Sequence, residues 1–167
     1  MATKQSPGAD VFEILRNDHQ NVSRIINDLK KAGQQQKQQL FNQLQDELNE
    51  HMTLEERYFY SRLEDIEDVS DLIQDSLADH DDIRQILQQM SEEDVGSEEW
   101  ETNCQALEDT KDDHVDLEEQ ELFPQVVELV EASELIQIAE QITAEKSRVE
   151  RAPAARREQK RPPRAEI

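Results

Sequence analysis

His19, His51, His80 and His114 are the only histidines in the chain, and each interrupts an apolar stripe that recurs at helical spacing. His19 falls between Leu15 and Val22, His51 continues Leu44 and Leu48, His80 lies between Leu77 and Ile83, and His114 follows Leu107 by seven residues. The stripes predict helices over about residues 10–32, 37–66, 70–91 and 97–123, with a fifth over about 133–149. Gly33 and Gly96 mark two of the turns, and Pro124 is expected to interrupt or kink the fourth helix. Connections of a few residues make sequential helices antiparallel neighbours. The expected fold is all-α: an antiparallel up-down-up-down four-helix bundle with a short fifth C-terminal helix. Three glycines and five prolines among 167 residues supply too few turns for an all-β chain.

The histidines also match in depth. His19 and His51 lie 14 and 18 residues from Gly33, and His80 and His114 lie 16 and 18 from Gly96. At about 1.5 Å per residue, each sits roughly 20–27 Å from its helix end. In an antiparallel bundle those distances put four imidazoles at one level. A single buried histidine is ordinarily a hydrogen-bonded core residue; four at one level in a core this lean (35% apolar residues) call for a metal.

Two of the histidines open a repeated motif. "HMTLEE" begins at His51 and "HVDLEE" at His114, both of the form His-x-x-Leu-Glu-Glu. Positions i and i+4 share a helix face, so Glu55 follows His51 inward and Glu118 follows His114. Buried carboxylates require a partner or a cation. Four imidazoles and two carboxylates at one level make a site for two metals with the glutamates bridging. Glu56 and Glu119, one residue further round, are expected to matter much less. "LRNDHQNVSRII" and "SLADHDDIRQIL" also correspond at Asp-His and the apolar positions after it, so the chain reads as two helix-pair halves. Tyr58 and Glu121, each seven residues after a motif histidine, share the ligand face and are open as additional ligands, as a core tyrosine or as a solvent-facing glutamate. The acids that precede the histidines, Asp18, Glu50, Asp79 and Asp113, are expected to be solvated, although a carboxylate commonly orients a ligand imidazole. Cys104 reads as a core thiol.

Charge narrows the partners. The formal net charge is −22, yet residues 146–167 hold eight Lys/Arg against three Glu. A body this acidic repels nucleic acid and anionic lipid, so neither is an expected partner. Residues 1–9 are expected to form a flexible arm, 10–148 the bundle, and 149–167 a basic, proline-containing disordered tail, either solvated or a docking segment for an acidic partner. A lone cysteine suits a reducing cytoplasm. "MATKQSPGADVFEIL" has no apolar secretory segment, and no apolar run is long enough to span a membrane.

With His19, His51-x-x-x-Glu55, His80, His114-x-x-x-Glu118 and "LEEQELFP" in this order, the chain resembles the hemerythrin-like (HHE cation-binding) domain over about residues 10–148. The resemblance implies a left-twisted four-helix bundle around two non-haem iron ions, oxo- or hydroxo-bridged, with those six residues as ligands. Oxygen-carrying members have a further histidine one turn after the third-helix histidine and an aspartate five residues after the fourth; Arg84 and Glu119 stand there. The resemblance is therefore nearer to the bacterial single-domain proteins linked to peroxide, nitric oxide or iron handling than to reversible oxygen carriers. It implies reaction with hydrogen peroxide, O2 or nitric oxide in oxidative or nitrosative stress defence. The alternative is an iron, O2 or nitric oxide binding, sensing or storage protein without turnover. A metal-free bundle that works by its surface is a third class, and manganese or zinc also suits an oxygen and nitrogen donor set.

Overall fold

The computed structural model describes residues 10–151. Six α-helices are found among them: α1 (Val11–Lys31), α2 (Gln34–Leu54), α3 (Ser70–Glu92), α4 (Glu98–Asp116), α5 (Phe123–Leu129) and α6 (Ala132–Arg151). They form fewer rods than that, because α2 continues through a π-helical turn at Glu55–Phe59 and a 3-10 turn at Tyr60–Arg62, and α4 continues through a π turn at Leu117–Leu122 into α5. The described residues contain no strand, and no helix among them is long and apolar enough to cross a membrane. The expected helical bundle with a fifth C-terminal helix is the fold found. The arm at 1–9 and most of the basic tail lie outside the described residues; α6 itself runs on through Arg151.

Local signals set the helix ends. The Asp10 side chain accepts a hydrogen bond from the Phe12 amide at 2.9 Å, and the Ser97 hydroxyl accepts one from the Trp100 amide at 3.2 Å. Such N-caps satisfy amides that the helix leaves free and are worth about 1 kcal/mol each. Lys30 and Lys31 close α1 where the helix dipole favours positive charge. Pro124 sits in the first turn of α5, where a missing amide proton costs little, so the rod changes winding there instead of breaking.

Two apolar clusters fill the bundle. One joins the start of α1 to the α2–α3 connection, α5 and α6, with Val11, Phe12, Leu15, Phe59, Phe123 and Ile142 among its members. The other joins the end of α1 to the start of α2, the end of α3 and the start of α4, with Ile26, Phe41, Leu44, Leu87, Trp100 and Leu107. The histidine level lies between them. Chiefly, α1 packs on α2, α3 on α4, and α6 on α1 and the π turn after α2. One stripe differs in phase from expectation. Leu77 is exposed, and Ser76 takes the buried slot between Ile73 and His80, because the buried face that runs through Ile73, His80, Ile83, Leu87 and Met90 is centred nearer Ser76 than Leu77.

The α3–α4 turn requires Gly96, whose φ is +82°, and a Cβ there would meet the Gln34 side-chain oxygen at 2.7 Å. Gly96→Ala is expected to destabilise the fold by about 1–2 kcal/mol in urea unfolding while leaving metal content unchanged, since the turn is far from the histidines.

Candidate metal centre

The four histidines and two glutamates converge between the apolar clusters. Each histidine is buried, and Glu55 and Glu118 are wholly enclosed. His19 Nε2 and His51 Nε2 lie 3.1 Å apart, as do His80 Nε2 and His114 Nε2 at 3.2 Å. Glu55 spans the two pairs: Oε1 is 2.7 Å from His51 Nε2 and 3.6 Å from His19 Nε2, and Oε2 is 3.0 Å from His80 Nε2 and 3.6 Å from His114 Nε2. Glu118 Oε1 contacts His114 Nε2. Two sets of donors, each within 4.8 Å of one another, could each hold a metal ion: His19, His51, Glu55 and Glu118, and His80, His114, Glu55 and Glu118. They share both glutamates.

The donors suit a cation better than they suit one another. Glu55 Oε1 and Glu118 Oε2 are enclosed without a hydrogen bond. With the proton on Nδ1 of both rings, the facing Nε2 atoms of each pair turn two lone pairs towards each other. Burying such groups without partners is costly, and a divalent or trivalent ion removes the cost by taking the lone pairs.

Without a metal the site holds protons instead. Burial disfavours a charged His51, but the Glu55 carboxylate and the Asp18 hydrogen bond outweigh it and push its pKa up to about 10. His114 is raised in the same way against burial, by Glu118 and Asp79, and His80 by Glu55 and Glu56. Glu55 is held well below the carboxylate range: burial would raise it, but His51 and the other histidines prevail. The pattern is that of imidazolium–carboxylate pairs that a metal would displace.

Four further carboxylates back the imidazoles. Asp18 Oδ2 accepts from His51 Nδ1 at 3.0 Å, and Glu56 Oε1 accepts from His80 Nδ1 at 2.9 Å. Asp79 Oδ2 lies 3.5 Å from His114 Nδ1, and Glu119 Oε1 lies 3.8 Å from His19 Nδ1. A proton fixed on Nδ1 leaves Nε2 free to bind metal. Cations steady three of the four: Lys146 on Asp18 at 2.5 Å, Arg84 on Glu56 at 2.8 Å and Arg16 near Glu119 at 3.7 Å.

This arrangement corrects the expectation of solvated acids. Asp18 and Asp79 are mostly covered, with side-chain exposures of 15% and 28%. Residue i−1 lies about 100° round its own helix, so it cannot reach its own histidine, but in an antiparallel pair it faces the neighbour's. Glu50 is half-buried and Asp113 is exposed. Glu56, expected to matter less, is carried behind His80 by the same rotation that takes it off the face of Glu55. Here the acid-dense sequence hid the signal.

Of the two additional candidates, Tyr58 is half-buried against the α6-side apolar cluster and Glu121 is exposed. Glu121 belongs to neither donor set. The residue found at the site is Tyr60, whose buried hydroxyl lies 2.8 Å from Glu55 Oε2 and 3.0 Å from Glu118 Oε1. Burial, reinforced by Glu118 and Glu55, pushes its pKa well up, so the phenol keeps its proton. The π turn explains the difference. A π turn takes one residue more than an α turn, so Tyr60, five after Glu55, shares that glutamate's face and Tyr58 rotates away. Phe123 stands five after Glu118 in the other half, and an aromatic at both positions was the available signal. Phe123 stacks on His19 at 6.5 Å and 9°, and Tyr60 lies 5.5 Å from His80.

The fold and these donors define a class: helix-bundle proteins whose core histidines and glutamates bind a cation. The chain matches the hemerythrin HHE cation binding domain over residues 10–126 and belongs to that family. No curated protein and no solved structure matches it.

Two tests follow from this geometry. Glu56→Ala is expected to weaken metal affinity by about tenfold, and Asp113→Ala to leave it unchanged, in chelator competition. For pH, a group whose folded pKa is raised stabilises fully below its unfolded value, and that contribution disappears as pH rises through the folded value. His51 therefore stabilises the metal-free protein below pH 6.5 and stops doing so as pH rises through about 10. Metal needs the deprotonated ring. Calorimetry is expected to show the Tm of the metal-free protein falling over that range, and its gap to the metal-loaded protein widening.

Proposed function

We propose that this protein is a dinuclear non-haem iron protein that reacts with small oxidants, with hydrogen peroxide first and O2 or nitric oxide as related ligands. The observation that carries this reading is the sharing of Glu55 and Glu118 by both donor sets. In the proposed assignment His19 and His51 would hold one iron and His80 and His114 the other, with Glu55 and Glu118 available to both. Four protein donors for each ion would leave room for a small ligand.

When bound, two adjacent irons supply a pair of redox equivalents at one place, so one peroxide can be oxidised to O2 while a second is reduced to water, without an outside reductant. The chain's own residues set the conditions. Asp18 and Glu56 hold the His51 and His80 tautomers, and the apolar clusters on either side exclude water. Tyr60 Oη holds a proton between Glu55 and Glu118, the only phenol placed to orient both carboxylates. Arg84 faces Glu56 and Asp81, not the donors, so it leaves the His80 position open. Such a protein would serve in cytoplasmic oxidative or nitrosative stress defence. The complete enclosure of Glu55, His80 and Glu118 favours a second reading, slow binding or storage of iron or a diatomic gas without turnover.

Protein from iron-replete medium is expected to contain two irons per chain by elemental analysis and to evolve O2 from peroxide faster than free iron or His80→Ala. One iron per chain would overturn the dinuclear assignment. A spectrum that reverses under argon, with no peroxide turnover, would replace the oxidant reading by the binding one.

A further inference from the structure

The two halves of the bundle are unequal in one respect that the repeat does not anticipate. α6 has no counterpart in the two-fold repeat. It buries Ile138, Ala139 and Ile142 and packs along α1 and the π turn after α2, beside the His19–His51 pair. From its last turns Lys146 reaches Asp18 Oδ1 at 2.5 Å, and the other oxygen of the same carboxylate accepts from His51 Nδ1 at 3.0 Å. Among the described residues no lysine or arginine pairs with Asp79, the carboxylate behind His114. On the other side the corresponding chain, Arg84–Glu56–His80, takes its cation from α3, so only the His19–His51 side draws one from α6.

Both links depend on the cation. Asp18 sits in an acidic neighbourhood where half-buried Glu50 feels Asp18 and Lys146 together. Lys146 lies between like charges and gives Asp18 a reason to stay turned inward on the imidazole. Without it the carboxylate would be repelled by Glu50 and free to rotate towards water, and the His51 ring would lose the acceptor that fixes its Nδ1 proton.

We infer that Lys146 is a positioning residue through which α6 holds Asp18 on His51, so that metal retention at the His19–His51 position depends on the C-terminal helix and retention at the His80–His114 position does not. The inference rests on the dinuclear reading proposed above.

The test uses Co(II) as the probe metal and full-length protein. Wild type should bind two equivalents. Lys146→Met should weaken one equivalent by about tenfold and leave the other unchanged. Lys146→Arg should restore it, and Arg148→Met, which removes the same charge from an exposed position two residues on, should behave as wild type. The proton NMR spectrum of the Co(II) protein gives a readout that a packing role would not move. One of the four paramagnetically shifted, exchangeable imidazole N–H signals should shift or exchange faster in Lys146→Met while three stay in place. Thermal unfolding of the metal-free variants checks that each folds. Unchanged affinities and signals in a folded Lys146→Met would overturn this inference alone. Equal weakening of both equivalents, or the same loss in Arg148→Met, would also overturn it by showing a general charge effect. Wild type that binds fewer than two Co(II) would overturn the dinuclear reading and this inference with it.

Discussion

The structure depends on a polar layer in the middle of an otherwise apolar bundle. Four imidazoles and two carboxylates are enclosed at one level, with Nε2 atoms 3.1 and 3.2 Å apart within each histidine pair. Desolvating such groups opposes folding unless protons or a cation join them. The apolar clusters on either side supply the burial that holds the layer together, and the layer in turn fixes the register of the helices, since each histidine has a partner at one height only. In a family defined by cation binding, this links metal content to the stability of the whole domain.

The repeated Glu-Glu pair shows how a short motif serves two tasks. The first glutamate, Glu55 or Glu118, faces the donor cluster. The second, Glu56 or Glu119, is rotated out of it and turns to the histidine of a neighbouring helix, closely for Glu56 and more loosely for Glu119. Asp18 and Asp79 provide the reciprocal service for His51 and His114. Each half of the bundle therefore backs one histidine of its own and one of the other half, always from an adjacent helix. The pseudo-symmetry is broken where chemistry can differ: a tyrosine near His80 against a phenylalanine near His19, and α6 along one side only.

Most of the centre could be read from the chain. Apolar spacing located the helices, and the matched distances from Gly33 and Gly96 placed the histidines at one height; all four do meet there, with Glu55 and Glu118. The departures have separate origins. Tyr58 and Glu121 share the ligand face only on an ideal α-helix, while the rods carry π turns over Glu55–Phe59 and Leu117–Leu122, so the core tyrosine and the solvent-facing glutamate are the alternatives found. Leu77 and Ser76 differ by a single residue in helical phase, which a pattern of leucines and isoleucines does not resolve. Asp18 and Asp79 were lost among many acids.

The sequence by itself determined what periodicity and composition can carry: an all-helical bundle, a lean core, one histidine per helix at a common depth, and a glutamate on the same face as two of them. These follow from repeat distances along one helix, which the chain states directly. Only the tertiary structure decided which carboxylate serves which histidine, that Tyr60 and not Tyr58 reaches the glutamates, and that Lys146 joins the C-terminal helix to Asp18. Those relations cross between helices or depend on a local change of winding, and a distance between two helices is set by their packing and not by the spacing of residues along either one.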